Sequence, residues 1–361
     1  MEALEWLATC IFWTCVIVVF FSVFIIVLSY ILREKQNQFL YFPESPVGST
    51  NTCESPIDRG FVNVDIVHIR TADGVTLRGF MMWPSPEQQL AQQAGAKGSC
   101  RSQNCGLSAG TLLPCGPTTP RDRLTSSTLY VIIYFHGNAG NVGHRVPIAT
   151  LFTTKHRCAV LMMDYRGFGL SDSVPPTEEG LKLDAQACLE YVWNHLRIPQ
   201  GRIFVMGTSL GGAVAIHLAS QQANTKRIAG VIIENTFTSV SDMASLLARV
   251  AVRQLVSRCP AFWLCMFDYY VKPLCLRIGW KNLELVERVE APMLFLSGGG
   301  DEVVPAWQMQ RLYAAAEKSK SMRRFVGFPE GKHNTLPLLR GYSEVVDEFV
   351  QDVLCSEAEV V

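Results

Sequence analysis

Residues 204–220, FVMGTSLGGAVAIHLAS, run from an apolar strand through a glycine-rich turn into an alanine-rich helix. Two chemistries use that outline. A dinucleotide site needs Gly-x-Gly-x-x-Gly, with an acidic residue about twenty positions further on to hold a ribose. Here the glycines fall at 207, 211 and 212, and Ser209 stands where backbone would have to approach a pyrophosphate. No Lys-Ser or Lys-Thr follows, so a P-loop fails too. The spacing fits Gly-x-Ser-x-Gly, supplied by GTSLG at 207–211. That pattern forces a serine into a sharp strand-to-helix turn and exposes its hydroxyl at a helix N-terminus, where free amides favour negative charge. Gly207 and Gly211 are expected as clearance for the turn.

A serine hydroxyl attacks a carbonyl only when a base takes its proton. Seven histidines are available. His217 lies about 12 Å up the helix from Ser209 at 1.5 Å per residue, out of reach. His144, His156 and His195 sit in or beside helices of the first half, His68 in a hairpin, and His136 at a strand end suited to shaping backbone. His333, in the loop FPEGKHNTLP after the last strand, remains as the base. An acid must fix the imidazole tautomer, and Asp301 in LFLSGGGDEVVP follows a strand and a triple glycine expected to be flexible. Glu234, at the preceding strand end, is the alternative acid, and a helix cap is the alternative role for Asp301. An oxyanion hole needs two convergent amides. Leu210, directly after the serine, offers one. Asn138 in FHGNAGN offers the other, with Gly137 turning that loop sharply.

These residues need a scaffold that brings strand ends together. Continuous apolar runs at 129–135, 159–165, 202–207, 230–235 and 292–298, with a shorter one at 323–328, read as strands covered on both faces. Helical patterns at 178–196 and 342–354 fall among them. Alternation of this kind predicts a mostly parallel sheet with helices on both faces. Residues 61–84 read as a hairpin turning at Ala72–Asp73–Gly74. Residues 36–60 read as a polar linker and 85–127 as a low-complexity insertion rich in Gln, Gly, Ser, Thr and Pro. Residues 236–290 exceed one crossover and fit either a small helical cap or packed crossover helices. The main domain is placed at 61–355.

Composition narrows the partners. Hydrophobic residues make up 48% and charged residues 18%, as a large buried core requires. Lys plus Arg and Asp plus Glu balance at 32 each, which gives no basic surplus for nucleic acid. The 12 cysteines include no Cys-x-x-Cys, and Cys100, Cys105 and Cys115 have no histidine nearby to complete a zinc site. Residues 6–32 carry no charge, and a membrane helix needs about 20 such residues. A single-pass anchor over 1–35 is expected, embedded in the bilayer through 6–32. Arg33 and Lys35 follow it directly, which favours a cytosolic main domain.

Together FHGNAGNVGHR, MMDYRGFGLSD, GTSLGGAVAIHLAS, ENTFTSV, SGGGDEVVP and GKHNTL resemble the membrane-anchored branch of the alpha/beta-hydrolases. That branch groups bud-emergence-46-like proteins with those like alpha/beta-hydrolase domain-containing protein thirteen. The resemblance spans roughly residues 128–350 and implies the alpha/beta-hydrolase fold, a Ser209–Asp301–His333 triad and no metal or organic cofactor. It also implies that 164–171 shapes one wall of the site, with Asp164 and Arg166 holding loops. It places the enzyme domain across the membrane, opposite to the charge rule, so the side stays open. The expected activity is cleavage of an ester, thioester or amide in a small-molecule or acylated-protein substrate, lipid or acylated protein favoured. A prolyl-oligopeptidase-like peptidase and a non-catalytic membrane-tethered scaffold are the alternatives.

Overall fold

The computed structural model describes residues 2–84, 130–156, 158–255, 259–318 and 322–358. The expected insertion at 85–127, with Cys100, Cys105 and Cys115, lies outside the described residues. The chain divides into two compact units, residues 1–41 with 239–280, and residues 42–238 with 281–361.

The second unit is built on one eight-stranded sheet, in the order β1-β2-β4-β3-β5-β6-β7-β8. The strands are β1 Val64–Arg70, β2 Thr76–Met82, β3 Val131–Phe135, β4 Ala159–Met163, β5 Ile203–Thr208, β6 Gly230–Glu234, β7 Met293–Gly298 and β8 Arg323–Phe328. β1 and β2 form the expected antiparallel hairpin, and β2 also runs antiparallel to β4. From β4 to β8 every pairing is parallel. β3 to β7 are buried at every position, as their unbroken apolar runs require when helices cover both faces. Each buried Val, Ile, Leu or Phe contributes about 2 kcal/mol relative to exposure. β1 instead alternates toward its end, consistent with an edge position. Register aligns the strand ends that matter: Phe135 with Gly207, Thr208 with Glu234, Glu234 with Leu296, and Gly298 with Phe328.

The stretch expected as a linker is largely a brace. Asn141 donates its side-chain amide to the carbonyls of Ser49 at 2.8 Å and Thr52 at 2.7 Å. Phe42 forms a parallel bridge with Ala139. Segment 42–52 therefore packs on the loop after β3, because the buried Asn141 needs main-chain acceptors.

In the first unit the N-terminal helix runs Glu2–Leu40, past the expected boundary at 35. The extra turn is held by Gln36, whose Oε1 accepts the N–H groups of Arg277 at 2.8 Å and Ile278 at 3.1 Å. Trp280 donates its indole N–H to the Tyr41 hydroxyl at 3.0 Å, and both side chains are buried. Helices at Val240–Leu255 and Pro260–Met266 and a π-turn at Phe267–Val271 complete the unit. Residues 236–290 thus do not act as one segment, since 239–280 group with the N-terminal helix and the ends stay with the sheet.

Candidate active site

Ser209 follows the last residue of β5 and precedes the helix Leu210–Ser220, with φ +56° and ψ −117°. That backbone region is costly for any residue with a Cβ, and it is held here by neighbours on both sides. The Ser209 N–H donates to the Glu234 carbonyl at 2.9 Å, and the Thr236 hydroxyl donates to the Ser209 carbonyl at 2.6 Å. The two flanking glycines are spatially required. A Cβ on Gly207 would run into the Gly211 backbone, and one on Gly211 into the Phe135 carbonyl. The amide of Leu210 opens the helix, where the first N–H groups lack intrahelical partners.

Asp301 and His333 meet. The imidazole Nδ1 lies 2.8 Å from Asp301 Oδ2 and 3.0 Å from Oδ1, with the Asp301 side chain fully buried. Asp301 Oδ1 also accepts the N–H groups of Val303 and Val304, both at 2.8 Å. The helix Ala306–Ala315 has Pro305 as its N-cap, so Asp301 pins the turn before that helix without capping it. Glu302 accepts the His333 main-chain amide at 3.4 Å.

The triple glycine is packed. A Cβ on Gly298 would strike the Gly331 carbonyl, and one on Gly299 would press on Pro329. The Gly299 and Gly300 amides donate to the carbonyls of Phe328 and Gly331. These glycines let the Asp301 and His333 loops lie side by side, in place of the expected flexibility. Gly137 needs a similar correction. Its φ is ordinary, and Gly140, at φ +73°, makes the sharp turn. Gly137 sits close to the serine, where an added Cβ would lie 3.7 Å from Ser209 Cβ. The Asn138 side-chain oxygen accepts the Phe42 amide at 3.4 Å, which fixes that residue in the loop.

Glu234, the alternative acid, is buried and engaged elsewhere: the Tyr342 hydroxyl donates to it at 2.8 Å. Burial pushes its carboxyl up to about 7. His136 is fully buried with Nδ1 2.7 Å from the Gly137 carbonyl, and burial drives it down to about 3, so it shapes the loop. Residues 164–171 buttress the HGN loop and do not line the pocket beside Ser209. Asp164 accepts the Val142 amide at 2.8 Å, and Tyr165 donates to the His136 carbonyl at 2.9 Å. Arg166 bonds both Asp73 and Asp184, holding loops as expected.

Two residues escaped the sequence reading. Asn235, at φ +45°, donates to the carbonyls of His333 at 3.0 Å and Lys332 at 3.3 Å. Its side-chain oxygen accepts the Gly298 amide at 2.8 Å. Asn235 and Thr236 therefore touch the backbones of His333 and Ser209 from one short segment. An Asn at a strand end, where a left-handed backbone is tolerated, was the available signal. Arg145, which ends the motif FHGNAGNVGHR without an assigned role, lines a cavity of about 290 Å³ together with Gly137, Thr208, Glu234 and Asn334.

The profile of the alpha/beta hydrolase fold matches residues 130–263. Protein bem46 of Schizosaccharomyces pombe is 31% identical over 89% of this chain and 87% of its own. The alpha/beta hydrolase domain-containing protein WAV2 of Arabidopsis thaliana is 31% identical over 82% of this chain and 81% of its own. The uncharacterized membrane protein YNL320W of Saccharomyces cerevisiae is 32% identical over 59% of this chain and 68% of its own. Among solved structures, an esterase of Pyrococcus furiosus superposes with a TM-score of 0.57 at 17% identity, over 84% of this chain and 95% of that one. With the sheet order, the turn at Ser209 and these identities over most of its length, the chain belongs to the alpha/beta-hydrolase family, in the branch of bem46 and WAV2.

Proposed function

We propose that the protein is a membrane-anchored serine hydrolase that cleaves an ester, thioester or amide. The observation that carries this reading is the Asp301–His333 pair at 2.8 Å, on loops leaving β7 and β8 at the sheet edge that presents Ser209. Asp301 holds the proton on Nδ1 and leaves Nε2 to accept one. His333 takes the Ser209 hydroxyl proton as Oγ bonds the carbonyl carbon. The carbonyl electron pair moves to oxygen, where the amides of Leu210 and Asn138 receive it. Collapse expels the alcohol, thiol or amine, which takes the proton from His333. Water, deprotonated by His333, then releases the acid and restores Ser209.

The helix within Glu5–Leu40 is long and apolar enough to cross a bilayer. Phe262, Trp263, Tyr269 and Tyr270 are exposed on the same unit, and aromatic side chains of this kind favour a lipid interface. Both features support a lipid or acylated protein as substrate. In the test, a fluorophosphonate probe labels the full-length protein and not Ser209→Ala, and an acyl-ester series shows preference for long chains over acetyl. A folded wild type that takes no label would remove the enzyme reading. Equal turnover of long and short chains would remove the lipid preference alone.

A further inference from the structure

We propose that the pocket beside Ser209 holds an anionic group of the substrate, a carboxylate or phosphate, with Arg145 as its counter-charge. This assignment rests on the hydrolase reading and specifies what that site accepts. Gly137 and Thr208 line the pocket and both adjoin the proposed nucleophile: Thr208 precedes Ser209 in the chain, and a Cβ on Gly137 would lie 3.7 Å from Ser209 Cβ.

Arg145 is half-buried and makes no ion pair among the described residues. One Nη donates to the Ala139 carbonyl at 2.9 Å, while Nε is buried without a hydrogen-bond partner. A guanidinium withdrawn from water without an anion is costly, and proteins normally pair such groups. The two nearby carboxylates, Asp164 and Glu234, feel the charge of Arg145, but neither forms an ion pair with it: Asp164 accepts the Val142 amide and Glu234 the Tyr342 hydroxyl. Burial raises the Glu234 carboxyl to about 7, so below that pH the carboxyl on the pocket wall is mostly neutral and does not repel an incoming anion. With Nε buried and one Nη on the Ala139 carbonyl, the remaining N–H groups of the two Nη atoms are the donors left for a carboxylate or phosphate. The role differs from that of the oxyanion amides. They meet charge that develops on the reacting oxygen, whereas Arg145 meets charge the substrate already carries.

Three 4-nitrophenyl esters of matched chain length test this on the full-length protein in detergent, with a terminal methyl, carboxylate or phosphonate. The wild type is expected to favour at least one anionic ester by about ten- to a hundredfold in kcat/KM, the range for hydrogen bonds to charged groups. The carboxylate and phosphonate arms show which anion fits. Arg145→Gln collapses the anionic-to-neutral ratio to about one, whatever the absolute rate, and Arg145→Lys keeps part of it. Equal kcat/KM across the three esters in the wild type overturns the assignment. So does an equal loss on all three in Arg145→Gln, which would mean that Arg145 only braces the Ala139 loop. Those results leave the hydrolase reading standing, whereas a wild type that neither labels with fluorophosphonate nor turns over any ester removes both.

Discussion

Away from the candidate site, Ser343 Oγ lies 3.1 Å from His156 Nε2 and Asp347 bonds the other ring nitrogen, a Ser–His–Asp chain in its own right. Residue types and hydrogen bonds alone therefore do not make a nucleophile. Ser343 lies within the regular helix Tyr342–Ala358, whereas Ser209 has the positive φ that turns its hydroxyl out of a strand. The acid can be tested in the same way. Asp301→Asn is expected to lower kcat by about 10⁴-fold, the cost of a wrong tautomer, while Glu234→Gln keeps most activity. The opposite ranking would reassign the acid. Glu234 also has a pH signature. Its ordinary value of 4.5 is raised to about 7 by burial, so between these values the unfolded chain has released a proton that the folded chain keeps. Its contribution to stability is complete below about 4.5 and is lost as pH rises through about 7. The unfolding midpoint of the wild type relative to Glu234→Gln therefore falls across that window. Asp164, also pushed up to about 7, acts the same way in both proteins and cancels. A difference that does not change with pH would contradict this.

At the level of elements, the sheet was legible because parallel strands buried on both faces leave unbroken apolar runs. The runs at 230–235 and 323–328 match β6 and β8 to within one residue. The order of serine, acid and histidine loops was legible because each follows a strand. What the sequence hid were contacts between loops distant along the chain. The glycines before Asp301 look like a hinge in sequence and prove to be a packing seam against Gly331. Asn235 looks like an ordinary loop polar residue until its amide is seen joining the Gly298 and His333 segments. Asn235→Ala removes those bonds and frees the His333 loop. The expected result is a fall in kcat of about tenfold or more with KM little changed, since positioning is felt in the transition state. Loss in KM alone would show that Asn235 does not position His333.

For the whole molecule, the N-terminal helix of 39 residues is about 60 Å long, roughly twice the hydrocarbon thickness of a bilayer. Gln36 near its end accepts the amides of Arg277 and Ile278, and the helix and residues 239–280 group as one compact unit. Stability belongs to this scale as well, and the turn at Ser209 bears on it. Glycine adopts φ +56°, ψ −117° freely, whereas other residues are held there at about 1–3 kcal/mol. Replacing serine by glycine adds unfolded-chain freedom worth about 0.5–1 kcal/mol, which is the smaller effect. Ser209→Gly is therefore expected to melt at a higher temperature than the wild type while taking no fluorophosphonate label, and a lower melting temperature would contradict it. Selection for robustness alone would have settled on glycine at position 209, so under the proposed function the serine is the point where heat tolerance is exchanged for reactivity.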